Sequence, residues 1–477
     1  MSSLRLDPPL RRLIAVVLLG GLLGILNSTM AAVATGTLAA TFDTSLSTVG
    51  WASTGFLLAV TATIPFTTWA VDRFGAKRLW LVGLLLFTTA ALASGLAWNV
   101  GSLVAFRVIQ GVGAGLLDPL VLILLARAAG PHRAGRVMGL MGVVLSLGPV
   151  LGPVTGGAVL ATLSWRWMFL LSVPVGVLAL LLARRVLPAD PTAGDQPRVG
   201  LDVLGLALLA PGFASIALAF SQAAEQVSGT AWQALLPLAL GALLLLGYAR
   251  HARRAGPTPP LIDLRLFANR GFTASVTVMG LGGLATFATL FAVPLYHSEV
   301  RGHGALAAGL LMAPTGLGAA VAMPLAGRLA DRVDARPLAA GGAVLAVASG
   351  LAFTRVATGT GEPWTVAASF AVGLGMGLFS APTMGTLYRT LPAALVAQGS
   401  SVLYMLNQVG AAFGVALVAL LAQTAPDPLA GLHRVFWCVA AMNLMVLATV
   451  ALLPGRPDAG ADPPGVRDDL AAGGPVP

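Results

Sequence analysis

The sequence predicts an all-α polytopic membrane protein with fourteen transmembrane helices, arranged as two six-helix bundles plus two inserted helices. Three observations predict it. The 477 residues are 57% hydrophobic and only 10% charged, with a mean hydropathy of +0.87; a soluble chain of this size needs far more charge to cover its surface. Fourteen apolar segments follow one another, each of a length that crosses a bilayer. The two ends of the chain also repeat each other in motif and order.

The segments fall at 13–38, 48–70, 79–97, 102–127, 135–160, 167–187, 201–222, 230–249, 272–296, 306–329, 336–354, 363–388, 398–423 and 432–453. Arg5, Arg11 and Arg12 precede the first, which fits a retained span that starts in the cytoplasm. With that start, the inner loops hold Arg73, Lys77, Arg78, then Arg127, Arg133, Arg136, then Arg184, Arg185, Arg198. They continue with Arg250, Arg253, Arg254, Arg265, Arg270, then Arg328, Arg332, Arg336, and Arg389. The outer loops hold only Arg166, Arg301, Arg355 and Arg434. Such asymmetry is a topology signal and places both termini on the cytoplasmic side.

VDRFGAKR after span two returns as ADRVDARP after span ten: Asp72 and Asp331 each precede an arginine, and Lys77 and Arg336 follow five places on. GVGAGLLDP in span four returns as GLGMGLFSAP in span twelve, with Gly111, Gly113, Gly115 against Gly373, Gly375, Gly377. Repeated bundles of this kind enclose a midplane site and alternate its access. The expected division is a first bundle at 1–187, a linker and inserted hairpin at 188–262, a second bundle at 263–453, and a disordered tail at 454–477, rich in Pro, Gly and Asp.

Composition also excludes function classes. The net charge of +10 comes from basic residues scattered through short loops, so no nucleic-acid partner is expected. The single cysteine, Cys438, allows neither an intrachain disulfide nor a multi-cysteine metal site. The single lysine, Lys77, stands in GAKR, which is no Walker A loop, and no lysine lies inside a span to form a retinal-type Schiff base. No cofactor and no metal are expected, and transport work would draw on an ion gradient.

Span four carries the chemistry. Arg107 and Asp118 stand in otherwise apolar sequence, where a charge costs a few kcal/mol. Eleven residues apart, they share one helix face, roughly 16 Å apart along the axis. Gly111, Gly113 and Gly115 between them allow close helix approach. Asp118 is either a proton carrier or a static carboxylate near the cytoplasmic end. Arg107 is either a cavity-facing cation that tunes a proton site or a structural guanidinium bonded to carbonyls of a neighbouring helix. Gly148, Gly152 and Gly156 recur every four residues in span five, a small-residue stripe with Pro149, Pro153 and Gly157 beside it.

These motifs resemble the major facilitator superfamily, and within it the 14-span drug:proton antiporters of multidrug efflux, over Leu26 to Val415. Asp72, Arg73, Gly75, Lys77 and Arg78 match the signature after span two, with Thr68 in place of its leading glycine. Arg107, Gln110, Gly111 and Gly115 match the span-four signature, and Gly148 to Gly157 the span-five antiporter signature. Trp165 to Gly176 is similar to the start of span six, with Ser172 where asparagine is usual. The family often carries an aspartate in span one; here Asn27 holds that place and cannot cycle a proton. The resemblance implies a major facilitator fold and an inner-gate latch at the Asp72 loop, with Gly75 permitting its tight turn. It also implies that span five closes the pathway against leak.

Asn27, Gln110 and Asn407, with Met141 and Phe287, are candidates for the substrate cavity, as are Trp51, Phe56, Phe291, Met312 and Met405; taken singly, each of these, like Gln408, reads first as helix packing or a lipid-facing residue. Glu225, His297, Glu299 and His303 read as solvent-exposed outer-loop residues. The expected function is proton-coupled efflux of lipophilic compounds, cationic ones included, by a monomer in the bacterial cytoplasmic membrane, and no enzyme activity. The open alternatives are an exporter of an endogenous metabolite, a proton–solute symporter, and a non-transporting membrane receptor or scaffold.

Overall fold

The computed structural model describes residues 7–129, 134–190, 200–225, 232–254, 259–330, 333–392 and 395–455, and their regular structure is entirely helical. The first half runs α1 (Pro8–Val33), α2 (Thr35–Thr41), α3 (Leu46–Phe74), α4 (Ala76–Gly95), α5 (Val100–Ala129), α6 (Ala134–Thr162), α7 (Trp167–Leu170) and α8 (Ser172–Val186). An inserted pair follows, α9 (Val203–Glu225) and α10 (Trp232–Arg253). The second half is α11 (Arg270–Leu295), α12 (Ala305–Ala330), α13 (Ala335–Phe353), α14 (Glu362–Thr390), α15 (Val396–Gln423) and α16 (Pro428–Val450). Ser45, Asn269 and Asp427 cap α3, α11 and α16 by accepting backbone N–H groups that the first helical turn leaves free.

Thirteen stretches among the described residues are long and apolar enough to cross a membrane, α7 and α8 together forming one of them. The fourteenth expected span is α6, a 29-residue helix with several side chains outside the described set; at 1.5 Å per residue it reaches about 43 Å. Span one keeps its expected length but lies earlier in the chain, at Pro8–Val33, because the helix breaks at Ala34 before the short α2.

The repeat is built into the packing. A Cβ on Gly111 would strike the Phe56 carbonyl of α3, and one on Gly373 the Thr315 carbonyl of α12. On the other side, a Cβ on Gly113 would sit 2.6 Å from the Phe87 amide nitrogen of α4, and one on Gly375 2.8 Å from that of Ala346 on α13. Only glycine permits either approach.

The two ends of the molecule differ. At the end carrying Arg73, Lys77, Arg78 and Arg389, one apolar core joins the halves: Leu13, Ile64, Leu120 and Met141 belong to the same cluster as Phe272, Leu387, Tyr388 and Val402. A buried hydrogen bond, Thr68 Oγ1 to Ser401 Oγ at 2.7 Å, crosses between α3 and α15 there. At the opposite end each half keeps its own core, around Leu103, Trp165 and Phe169 in one and Val293, Phe353 and Phe436 in the other. The molecule is therefore closed at its basic end.

Helix α9 lies along the seam between α3 and α15. Its Ser221 hydroxyl is 3.3 Å from that of Thr54, and the Phe220 ring meets Phe413 edge-on at 4.9 Å. Helix α10 turns Leu235, Leu236, Leu243 and Leu246 outward.

One expectation is corrected here. His297 is 1% exposed, inside a π-helical turn (Tyr296–Val300), with its ring packed against Tyr296 and His303. The bulged turn rotates the ring into the bundle, which a loop reading of the sequence does not anticipate. Glu299 is exposed as expected, and His303 lies 3.2 Å from Glu362. The side chain of Glu225 and residues 456–477 of the tail lie outside the described residues.

Candidate functional site

Helix α5 presses on α3 and α4 through its glycines and turns its charged face toward α1. Arg107 is 1% exposed. Its Nε donates to the Ala52 carbonyl of α3 at 3.2 Å. Its Nη1 donates to Asn27 Oδ1 at 2.6 Å and to Gln110 Oε1 at 2.8 Å. Asn27 in turn donates to Ser172 Oγ of α8 at 3.1 Å. The Phe56 ring lies 4.1 Å beneath the guanidinium, and Phe169 stands 5.7 Å away. The cation thus ties α1, α3, α5 and α8 together through amides, a carbonyl and two aromatic faces, without a carboxylate.

Asp118 lies further along the same helix, toward the closed end, and is half-buried. Its Oδ1 faces Gly24 of α1, where a Cβ would sit 3.7 Å away. Leu117 and Leu120 on either side of it belong to the core against which Tyr404 of α15 packs, so this stretch of α5 borders the other half. No hydrogen bond or ion pair holds Asp118 among the described residues. Asn27 and Gly24 are one turn apart on α1, so that helix touches both charged levels of α5.

The loop after span two is held within its own half. Gly75 has φ +89°, a conformation that favours glycine, and a Cβ there would run into Asp190. Asp190 caps α4, accepting from the backbone N–H groups of Lys77 and Arg78 at 2.9 Å each. Lys77 Nζ donates to the Leu187 carbonyl at 2.7 Å, closing the end of α8. Asp72 faces Arg127 of α5 at 3.6 Å, with both side chains more than 40% exposed; Arg73 and Arg78 are exposed. At this level the bond between halves is Thr68–Ser401, at the place where the signature's glycine is replaced.

In the second copy, Asp334 caps α13 and Arg336 donates to the Leu453 carbonyl at 2.9 Å, repeating the Lys77–Leu187 contact. Asp331 and Arg332 lie outside the described residues.

The span-five stripe packs on α1. A Cβ on Gly148 would strike Ile25, one on Gly152 would strike Thr29, and one on Gly156 would lie 3.2 Å from Met168 and 3.4 Å from Met30 Cα. Gly157 faces open space. The Pro149 and Pro153 side chains lie outside the described residues. Close contact with the other half comes earlier on α6, where Gly139 and Gly142 meet Met323 of α12.

Of the cavity candidates, Asn27, Gln110 and Met141 are buried in protein contacts. Phe287 and Asn407 keep accessible surface, on the α11 and α15 faces that meet at Gly414 and Gly283. Sequence reasoning missed Asp190, Ser401 and Tyr404; none carries a motif, and only the replaced glycine at Thr68 signalled the position of a cross-link. Among the described residues no group of three or more His, Cys, Asp or Glu could hold a metal ion.

A family model described as the Major Facilitator Superfamily matches residues 17–415. The chain belongs to that superfamily. Among its relatives is a multidrug resistance protein B homolog of Mycobacterium tuberculosis, 36% identical over 420 residues, covering 87% of this chain and 77% of that one. The multidrug export protein EmrB of Escherichia coli is 32% identical over 314 residues, covering 66% of this chain and 60% of that one. The crystal structure of the human organic anion transporter MFSD10 superposes with a TM-score of 0.65 at 18% identity, covering 93% of this chain and all of that one. That likeness shows the fold. As a major facilitator, the chain is a multi-pass membrane transporter of small molecules.

Proposed function

We propose that this transporter exports lipophilic compounds, cationic ones included, in exchange for protons. It would work as a monomer in the bacterial cytoplasmic membrane, with both termini and the closed, arginine-rich end inside. The observation that carries the proposal is Asp118. It is the one carboxylate among the described residues that stands deep within a span, on the stretch of α5 whose Leu117 and Leu120 share a core with α15 of the other half, and no hydrogen bond or ion pair holds it there. A carboxylate so placed can take a proton from one side and release it to the other as the bundles rock.

The division at 1–187, 188–262 and 263–453 belongs to the same reading: the first and last units rock, and the α9–α10 hairpin rides on the seam. Arg107 couples to Asp118 through α1, whose Asn27 it grips and whose Gly24 the carboxylate faces. The Asp72 loop stiffens the inner rim, and Thr68–Ser401 is the bond broken on opening inward. Phe287 and Asn407 line the route. The names of the relatives, multidrug resistance and multidrug export, support the substrate class.

The test uses purified protein in liposomes with a pH-sensitive dye inside. A panel of lipophilic cations and neutral drugs is added with and without an imposed proton gradient. Compound-triggered proton movement, abolished by collapsing the gradient, is the expected result. Compound movement indifferent to the gradient would reject proton coupling.

A further inference from the structure

Arg107 is a buried cation with no ion-pair partner among the described residues. Its partners are neutral: the Ala52 carbonyl, the Asn27 and Gln110 side-chain oxygens, and the faces of Phe56 and Phe169. No ion pair to Arg107 is found among the described residues. A buried charge without an opposite charge is costly to keep. Aromatic faces and carbonyl dipoles offset part of that cost and leave the net charge in place.

Two donors beside it are unused. Gln110 spends its oxygen on Nη1, and its Nε2 is buried with no partner. The Arg107 Nη2 group makes no hydrogen bond among the described residues. An orphaned buried amide next to an orphaned guanidinium nitrogen calls for an acceptor, and the uncompensated charge calls for a negative one. Asn27 sharpens the point. It has the shape of aspartate and sits 2.6 Å from Nη1, where a carboxylate would neutralise the pair; its amide cannot.

We propose that Arg107 and Gln110 form an anion subsite that takes the carboxylate of a transported lipophilic acid or zwitterion, or a free halide. The chemistry shared by the two sources is a compact monovalent anion accepting from Nη2 and Nε2. The phenyl rings of Phe56 and Phe169 flank the guanidinium itself, and such rings suit an aromatic acid. The subsite lies near the end of the molecule where the halves keep separate cores, so parting of the bundles there opens it. The part of the proposal that concerns transported acids rests on the export reading; the anion subsite itself does not.

The experiment measures the melting temperature of the full-length protein in micelles at constant ionic strength, with sodium gluconate replaced stepwise by sodium chloride or by sodium benzoate. A ligand that binds only the folded state raises that temperature saturably. Wild type is expected to rise by a few degrees with one or both anions. Asn27→Asp, which supplies an internal counter-charge, is expected to lose the response, and Gln110→Leu, which removes the second donor, to weaken it. A response to benzoate above that to chloride assigns the site to a substrate carboxylate; a response to chloride alone assigns it to a free halide. No rise in wild type, or an equal rise in Asn27→Asp, would overturn the proposal. The proton assay in liposomes is run alongside. Antiport without an anion response removes this subsite and leaves the export reading; an anion response without antiport does the reverse.

Discussion

Helices α5 and α14 occupy the same place in the two halves and share a glycine skeleton, yet their chemistry differs. Gly111, Gly113 and Gly115 meet α3 and α4 as Gly373, Gly375 and Gly377 meet α12 and α13, with backbone atoms in near contact on both sides. In the same register, Ser369 stands where α5 has Arg107, and Ser380 where α5 has Asp118. Ser369 is fully buried with its hydroxyl unpartnered, and Ser380 is 5% exposed. The packing therefore does not require charge. The first half carries a buried cation and a deep carboxylate, at a few kcal/mol each by membrane-insertion scales, while the second half builds the same architecture without them. On the proposed reading, transport is what holds those charges in the sequence, and one half of a near-symmetric machine carries the coupling chemistry.

The comparison can be broken at the shared skeleton first. Gly113→Val and Gly375→Val each push a side chain into a neighbouring backbone and should destabilise by about 1–3 kcal/mol, to a similar degree. Thermal unfolding of each variant checks this; a large loss in one half only would show that the two helices are not packed alike. The next effect concerns the charges. Arg107→Ser makes α5 resemble α14 and strands the Asn27 and Gln110 oxygens, a loss of about 1–3 kcal/mol. Ser369→Ala removes an unpartnered hydroxyl and should leave the melting temperature unchanged or raise it.

Smaller effects lie at the basic end, where both halves cap the helix after the charged loop. Asp190→Ala and Asp334→Ala should each cost about 0.5–2 kcal/mol, read from thermal unfolding. Asp190→Ala should cost more, since Asp190 accepts two N–H groups and Asp334 one. The smallest is Thr68→Val. Losing one buried hydrogen bond, worth about 1 kcal/mol, should shift the population toward the form open at the basic end. Maleimide labelling of Val402→Cys, in a background carrying Cys438→Ser, should quicken.

Much of this was legible in the sequence because membrane burial imposes strong periodic signals. Thirteen of the fourteen apolar segments became helical stretches long and apolar enough to cross a membrane, and α6 covers the other, since a backbone in hydrocarbon must satisfy itself internally. The glycine triplets read correctly as contact surfaces in both halves. Arg107, Gln110 and Asn27 stood out as polar residues in apolar runs, and the structure gathers them at one point. Which neighbour each would meet was not legible. The stripe of span five gave no sign that its partner is α1, and Asp72 gave none that its contact is Arg127 of the same half. Asp190 looked like an ordinary loop residue, because capping depends on where the loop folds back. His297 was misread as exposed because a single π-helical turn, invisible in composition, decides which way its ring points.

The central claim is that Asp118 serves proton coupling and not architecture. The measurement that tests it most directly is compound-triggered proton movement in liposomes for wild type and Asp118→Asn, with melting temperatures taken on the same preparations. The account predicts that the variant melts no lower than wild type, still binds the compound, and moves no protons. Proton movement at the wild-type rate in Asp118→Asn would contradict it, as would loss of movement explained by a protein that no longer folds.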